Sequence, residues 1–152
     1  MDAFTPVIGA VRDLVDAALD GRDPRPSVSV GGSATLPPFA AVVFETPEDV
    51  EIANPTTSVP AMGGALGPYS LQFTVGGQMW AVRRNAAEAG SLVNEWFTLV
   101  MDALARDKTL GGKCVSATPV YARGGSVARD RGFLSAIDFG IRVKVHHTPS
   151  RN

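Results

Sequence analysis

Residues 85–112 read NAAEAGSLVNEWFTLVMDALARDKTLGG, and this stretch decides the fold. Ala89, Leu92, Val93, Trp96, Val100, Ala103 and Leu104 recur at three- and four-residue steps, the spacing that lines one face of an α-helix. Glu88, Glu95 and Asp102 fall on the other face. Asn85 supplies an N-cap, because its side-chain oxygen can accept from a free amide of the first turn. Burying Leu92, Trp96, Val100 and Leu104 contributes on the order of 1.5–3 kcal/mol each. The helix is therefore expected to be the main packing partner of a sheet. At its far end, Arg106 and Lys108 complement the partial negative charge of a helix C-terminus. Gly111 or Gly112 is expected to take the left-handed conformation that ends the helix, with Leu110 folding back as a hydrophobic contact.

Upstream, Thr5-Pro6 is a helix start, a hydroxyl N-cap followed by proline at the first helical position. Val7, Val11, Leu14 and Ala18 follow at helical spacing, with Arg12 and Asp16 four apart on the outer face. Gly21 and the Asp23-Pro24-Arg25-Pro26 run end this helix, which spans about 5–20. Ser27–Val30 alternates at period two and reads as a short strand. Phe39–Phe44 (FAAVVF) is apolar enough for a strand inside a sheet. A long loop is expected over about 45–68. Its acidic start, Glu45 to Glu51, reads as a solvated turn, and from Ile52 to Val82 no residue is charged. Such a loop either folds over its own domain or docks on another subunit. Leu71, Phe73 and Val75, then Met79 to Val82, are strand-like. The Gly76-Gly77 pair between them is a hairpin turn or a bulge, with one long kinked strand favoured.

Downstream, Cys114–Tyr121 reads as a strand, and the charged, glycine-rich stretch over about 122–132 reads as a mobile loop. Ile137, Phe139, Ile141, Val143 and Val145 alternate with polar or small residues, so one face of this strand meets the helices and the other is charged and wet. Residues 148–152 read as a frayed tail. The order of elements predicts a single α+β domain over 1–152: a mostly antiparallel sheet with two helices packed on one face.

Composition fits one globular unit. The chain has 152 residues, 45% hydrophobic and 19% charged, enough to bury a core without disulfides or metal. Its single cysteine, Cys114, has no partner for an intramolecular disulfide and reads as a small core residue. The first residues lack the basic start and apolar run of a signal peptide, and no stretch is apolar enough for a transmembrane helix. Charge is lopsided. Residues 1–82 hold nine acidic against three basic residues, and residues 83–152 hold eleven basic against six acidic. This split suits a nucleic-acid face, a protein that pairs its acidic side with the basic side of an identical neighbour, or two solvated faces.

Motifs for chemistry are sparse. Gly111-Gly112-Lys113 lacks the earlier glycine and the following Ser/Thr of a phosphate loop. His146 and His147 are adjacent on a strand, so they point to opposite faces and do not chelate one ion together. Glu45, Glu48, Asp49 and Glu51 are the one carboxylate cluster from which metal-assisted hydrolysis would have to be built. Arg83, Arg84, Arg123, Arg129, Arg131, Arg142 and Lys144 are the candidates for contacting nucleic acid, but without the interleaved aromatics of a single-strand platform. No catalytic, cofactor or metal residue is expected.

The run WFTLVMDALARDKTLGGKC (96–114), then a strand, a glycine-rich stretch and FLSAIDFGIRVKVHH (133–147), resembles the C-terminal half of tail terminator proteins of long-tailed bacteriophages. FTPVIGAVRDLVDAALDG (4–21) is similar to their N-terminal helix. The resemblance covers residues 86–146 best. It implies a homo-oligomeric ring of six copies on the head-proximal end of the tail tube. The ring stops tube polymerisation and presents a surface to the head's connector proteins. It further implies a place in the virion at the tail–head junction after synthesis in the bacterial cytoplasm, and partners that are the tail tube protein and a head-completion protein. DNA only passes through the channel. On this view Val59, Met62, Leu66, Arg83 and Arg84 are candidates for subunit or tube contacts, and Arg142 and Lys144 for the channel wall. Another head–tail neck adaptor, and a binding module with no phage role, are the alternatives.

Overall fold

Among the described residues, two helices lie on one face of a six-stranded sheet. The computed structural model describes residues 2–32, 37–53 and 69–147. Along the chain these are α1 (Thr5–Ala18), β1 (Ser27–Val30), β2 (Phe39–Val43), β3 (Glu48–Ala53), β4 (Tyr69–Arg83), α2 (Ala86–Arg106), β5 (Ser116–Arg129) and β6 (Gly132–His147). The sheet order is β1-β2-β4-β6-β5, with β3 also paired to β4. Only β1–β2 is parallel; every other pair is antiparallel. The expected α+β fold is the observed one.

The core follows from strand alternation. Leu71, Phe73, Val75, Met79 and Ala81 of β4 share one face with Phe139, Ile141, Val143 and Val145 of β6. Val7, Ile8, Val11 and Val15 of α1 and Val93, Trp96, Val100 and Leu104 of α2 close over them. Trp96 is 1% exposed and meets the Phe39 ring edge-on at 6.3 Å. β4 is one strand of 15 residues running straight through Gly76-Gly77. Gly77 sits where a side chain would run into the Phe139 ring and the Val42 carbonyl.

Two loop expectations are corrected. The loop over about 45–68 begins with a strand: β2 and β3 both pair antiparallel with β4, as two halves of one broken strand. Across the break the Phe44 amide still donates to the Gly76 carbonyl at 2.9 Å. A second irregularity falls between Glu48 and Glu51, where Asp49 takes φ 50°. The remainder of that loop lies outside the described residues. The stretch over about 122–132 is not a mobile loop. It is the end of a long hairpin, with β5 and β6 paired from Ser116↔Lys144 to Arg129↔Gly132.

The two helix ends also differ in detail. Thr5 does not cap α1; the Asp2 carboxylate does, accepting from the Phe4 and Thr5 amides and from the Thr5 hydroxyl at 2.6–2.8 Å. Asp16 pairs with Arg25 at 2.7 Å and not with Arg12. At the other helix, Asn85 caps as expected, accepting from the Ala87 amide at 2.8 Å. But α2 stops at Arg106, before the glycines. The Asp107 carboxylate accepts from the Gly111 amide at 3.0 Å and organises the turn. Leu110 itself takes φ 51°, followed by Gly111 and Gly112 at 68° and 86°. A left-handed leucine costs roughly 1–2 kcal/mol. Leu110 is 4% exposed in the main core, and burial of that kind contributes about 1.5–3 kcal/mol, so burial wins.

Candidate functional site

The face of the sheet opposite the helices carries the distinctive side chains. At its centre Gly76 of β4 lies opposite Gly140 of β6. Tyr121 of β5 is paired with Gly140 and lays its ring over it, so tightly that a β-carbon at 140 would penetrate the ring. The phenol then crosses Gly76 and donates to the Glu48 carboxylate of β3 at 3.2 Å. The two glycines thus form a trough through which one tyrosine links the sheet's two flanks. Burial pushes the Tyr121 phenol above its ordinary pKa, and the neighbouring Glu48 carboxylate adds to this. Arg123 caps the exposed side of the ring, its guanidinium 5.3 Å from the centroid.

A second tie lies one step along. Arg142 of β6 donates to the Asp49 carbonyl at 2.7 Å and to the Thr74 hydroxyl at 3.2 Å, and pairs with Glu51 at 3.4 Å. This guanidinium therefore holds the irregular turn of β3 in place. Arg142 is not the free wet-face cation that its position in the strand suggests; its side chain is 23% exposed. Lys144, the other channel candidate, stands on the same face opposite Gln72 and Ser116 and is half-buried.

The remaining expected site residues are distributed differently. Arg83 places its guanidinium 5.1 Å from the Phe39 ring centroid, and Arg84 is exposed in the turn before α2. The hairpin end seats against this turn, because Gly132 leaves no room for a side chain beside the Arg83 carbonyl. Arg83, Arg84, Arg129 and Arg131 therefore gather at one end of the sheet. Val59, Met62 and Leu66 lie outside the described residues. The acidic run is exposed as expected, but from Glu48 onward it is a strand and not a turn, with Glu48 and Glu51 tied to Tyr121 and Arg142.

The other candidates for chemistry stay apart. His146 bonds Ser70 through Nδ1 at 2.8 Å, while His147 stacks edge-on against Tyr69 on the opposite face. Cys114 is only partly buried and packs against the edge of the main core; burial, then the nearby Asp107, pushes its thiol pKa up. Among the described residues no group of three His, Cys, Asp or Glu side chains is arranged to hold a metal ion. Among the same residues no helix is long and apolar enough to cross a membrane.

Sequence reasoning missed one more feature, a small apolar cluster on this otherwise polar face. Ala40, Val42 and Trp80 are buried there with Leu134 and Ala136 against them. The Trp80 indole donates to the Pro37 carbonyl at 2.8 Å. The doubly apolar run of β2 is the signal: Ala41 and Val43 face the helices, and Ala40 and Val42 face Trp80. Neither a family model nor a curated protein matches the chain.

Proposed function

We propose that this protein is a phage tail terminator, a structural protein that forms a ring on the head-proximal end of a tail tube, stops tube growth and offers a surface for head joining. The observation that carries the reading is the order of elements around residues 86–146. A long helix ends on a buried Leu110 turn with two glycines, and a long two-stranded hairpin follows, the arrangement implied by the resemblance to that family. The separation of acidic and basic residues supports it further, since a closed ring joins one side of each subunit to a different side of the next. Its place is the tail–head junction of the virion, and its partners are further copies of itself, the tube protein and a head-completion protein.

Negative-stain microscopy combined with mass by light scattering tests the ring, followed by mixing with purified tail tubes. The expected particle is a closed ring of six 15.9 kDa chains, about 95 kDa. Caps on one end of each tube are expected after mixing. Absence of both rings and caps sinks the reading. Rings that bind a head portal and ignore tubes favour the neck-adaptor alternative.

A further inference from the structure

The two open edges of the sheet differ in charge and in length: β5 has 14 residues, and β3 has six and lies one strand inward of the β1–β2 flank. Among the described residues no strand pairs with the outer edge of β3 or of β5. An open edge presents unpaired amides and carbonyls and is a template for another strand. β5 carries Arg123 and Arg129, which register opposite Asp138 and Gly132 and so sit on the helix-free face. β3 carries Glu48 and Glu51, opposite Thr74 and Gln72 on that same face, with Asp49 between them. Of the eight exposed large hydrophobic residues among those described, four are on these strands: Val50 and Ile52 on β3, Val120 and Val127 on β5. Both edges therefore offer backbone partners and apolar area, and their charges are opposite.

Strand direction agrees. β4 runs antiparallel to both β3 and β6, and β6 runs antiparallel to β5, so β3 and β5 of one molecule run in opposite directions. A second copy in the same orientation brings its β3 antiparallel to the first copy's β5. Arg123 lies level with Gln78 and Arg129 beyond Arg83, whereas β3 lies level with Ser70–Thr74, so the copies are displaced along the strands by about eight residues, roughly 27 Å, for the charges to meet and for β5 to clear β1 and β2. Its helices stay on the same face, and its acidic residues come onto the face that carries the arginines.

We infer that the β5 edge of one copy pairs with the β3 edge of the next, Arg123 and Arg129 meeting the acidic Glu48–Glu51 segment, so that the sheets join head to tail around a ring. This rests on the ring reading above. Pairing of β5 with a second β5 is disfavoured, since it sets arginine-bearing edges against each other. The β1 edge, SVSV, offers four residues and no charge.

Two charge-reversed variants test the pairing: Arg123→Glu with Arg129→Glu, and Asp49→Lys with Glu51→Lys. Sedimentation measures the self-association of each, of the wild type, and of an equimolar mixture. Each variant alone is expected to associate at least about 100-fold more weakly than wild type, since like charges meet at the joint. The mixture is expected to recover assembly, because acidic and basic edges then alternate. Wild-type association is expected to weaken with added salt. The arginine pair is on an exposed strand, and its variant, checked by thermal melting, decides alone if the acidic variant fails to fold. Assembly of the arginine variant at wild-type strength overturns the edge pairing and leaves the ring reading standing. A wild type that stays monomeric up to its solubility limit also overturns the edge pairing, and the tube-capping experiment then decides the ring reading separately.

Discussion

Gly140 and Asp2 show how single positions set local structure. Gly140→Ala forces the Tyr121 ring off its seat, and overpacking of this kind costs about 1–3 kcal/mol in urea unfolding. Because the obstacle is one side chain, Tyr121→Ala with Gly140→Ala is expected to lose less than the two single losses combined. Additive losses show that the trough is not what makes glycine necessary at 140. Asp2 acts through its charge. Accepting from the Thr5 amide and hydroxyl and the Phe4 amide holds its carboxyl at about 2, against an ordinary 3.8. A folded-state pKa lowered in this way stabilises the fold above the ordinary value and loses that contribution as pH falls towards the folded one. Asp2→Asn is expected to flatten the acid side of the stability–pH profile between about pH 4 and pH 2. An unchanged slope there removes Asp2 as the cap of α1.

Turns and strands stand or fall by what reaches them from elsewhere in the chain. Leu110→Ala keeps the left-handed strain and removes the burial, and is expected to cost about 2–5 kcal/mol. Leu110→Gly loses the same contacts but relieves the strain, so it is expected to be about 1 kcal/mol less harmful; equal losses contradict a strained leucine. Arg142→Ala removes the donor to the Asp49 carbonyl, and faster amide exchange confined to β3 is the expected result. Exchange that rises equally in β4 shows that Arg142 supports the whole sheet. The same dependence decides what was legible in the sequence. α1, α2 and the second half of β6 each bury one face, and β4, though buried on both, sets Leu71, Phe73, Val75 and Met79 on the helix face, and that leaves a periodic signal. β5 is exposed on both faces over most of its length, so nothing alternates, and Gly124-Gly125 with its arginines reads as a loop. β3, EDVEIA, is held by Tyr121 and Arg142 from more than seventy residues away, a distance no local pattern spans. Arg142 alternates correctly in β6 and was legible as an outer-face residue, but its partners are known only once β3 is in place. Thr5-Pro6 satisfies the helix-start pattern while Asp2 does the capping, because both offer a side-chain oxygen within reach of the first amides.

Across the whole molecule, protection is expected to grade outward from β4. That strand is paired with β6 over its full length on one side and with β2 and β3 on the other, so its amides open only when the sheet does. Hydrogen exchange should be slowest in β4 and fastest at the outer amides of β5; a protected β5 in the isolated chain contradicts an open edge. The β4–β6 ladder joins 15 consecutive residue pairs, from Tyr69↔His147 to Arg83↔Phe133, a span of about 50 Å at the rise of an extended strand. One ribbon thus runs from the arginine-rich end to the histidine end without interruption. A pull applied lengthwise between those ends loads all its cross-strand bonds together in shear, whereas a sideways pull at the hairpin tip would open them singly like a zip. The chain is thereby built as a strut, stiff along one axis and yielding across it.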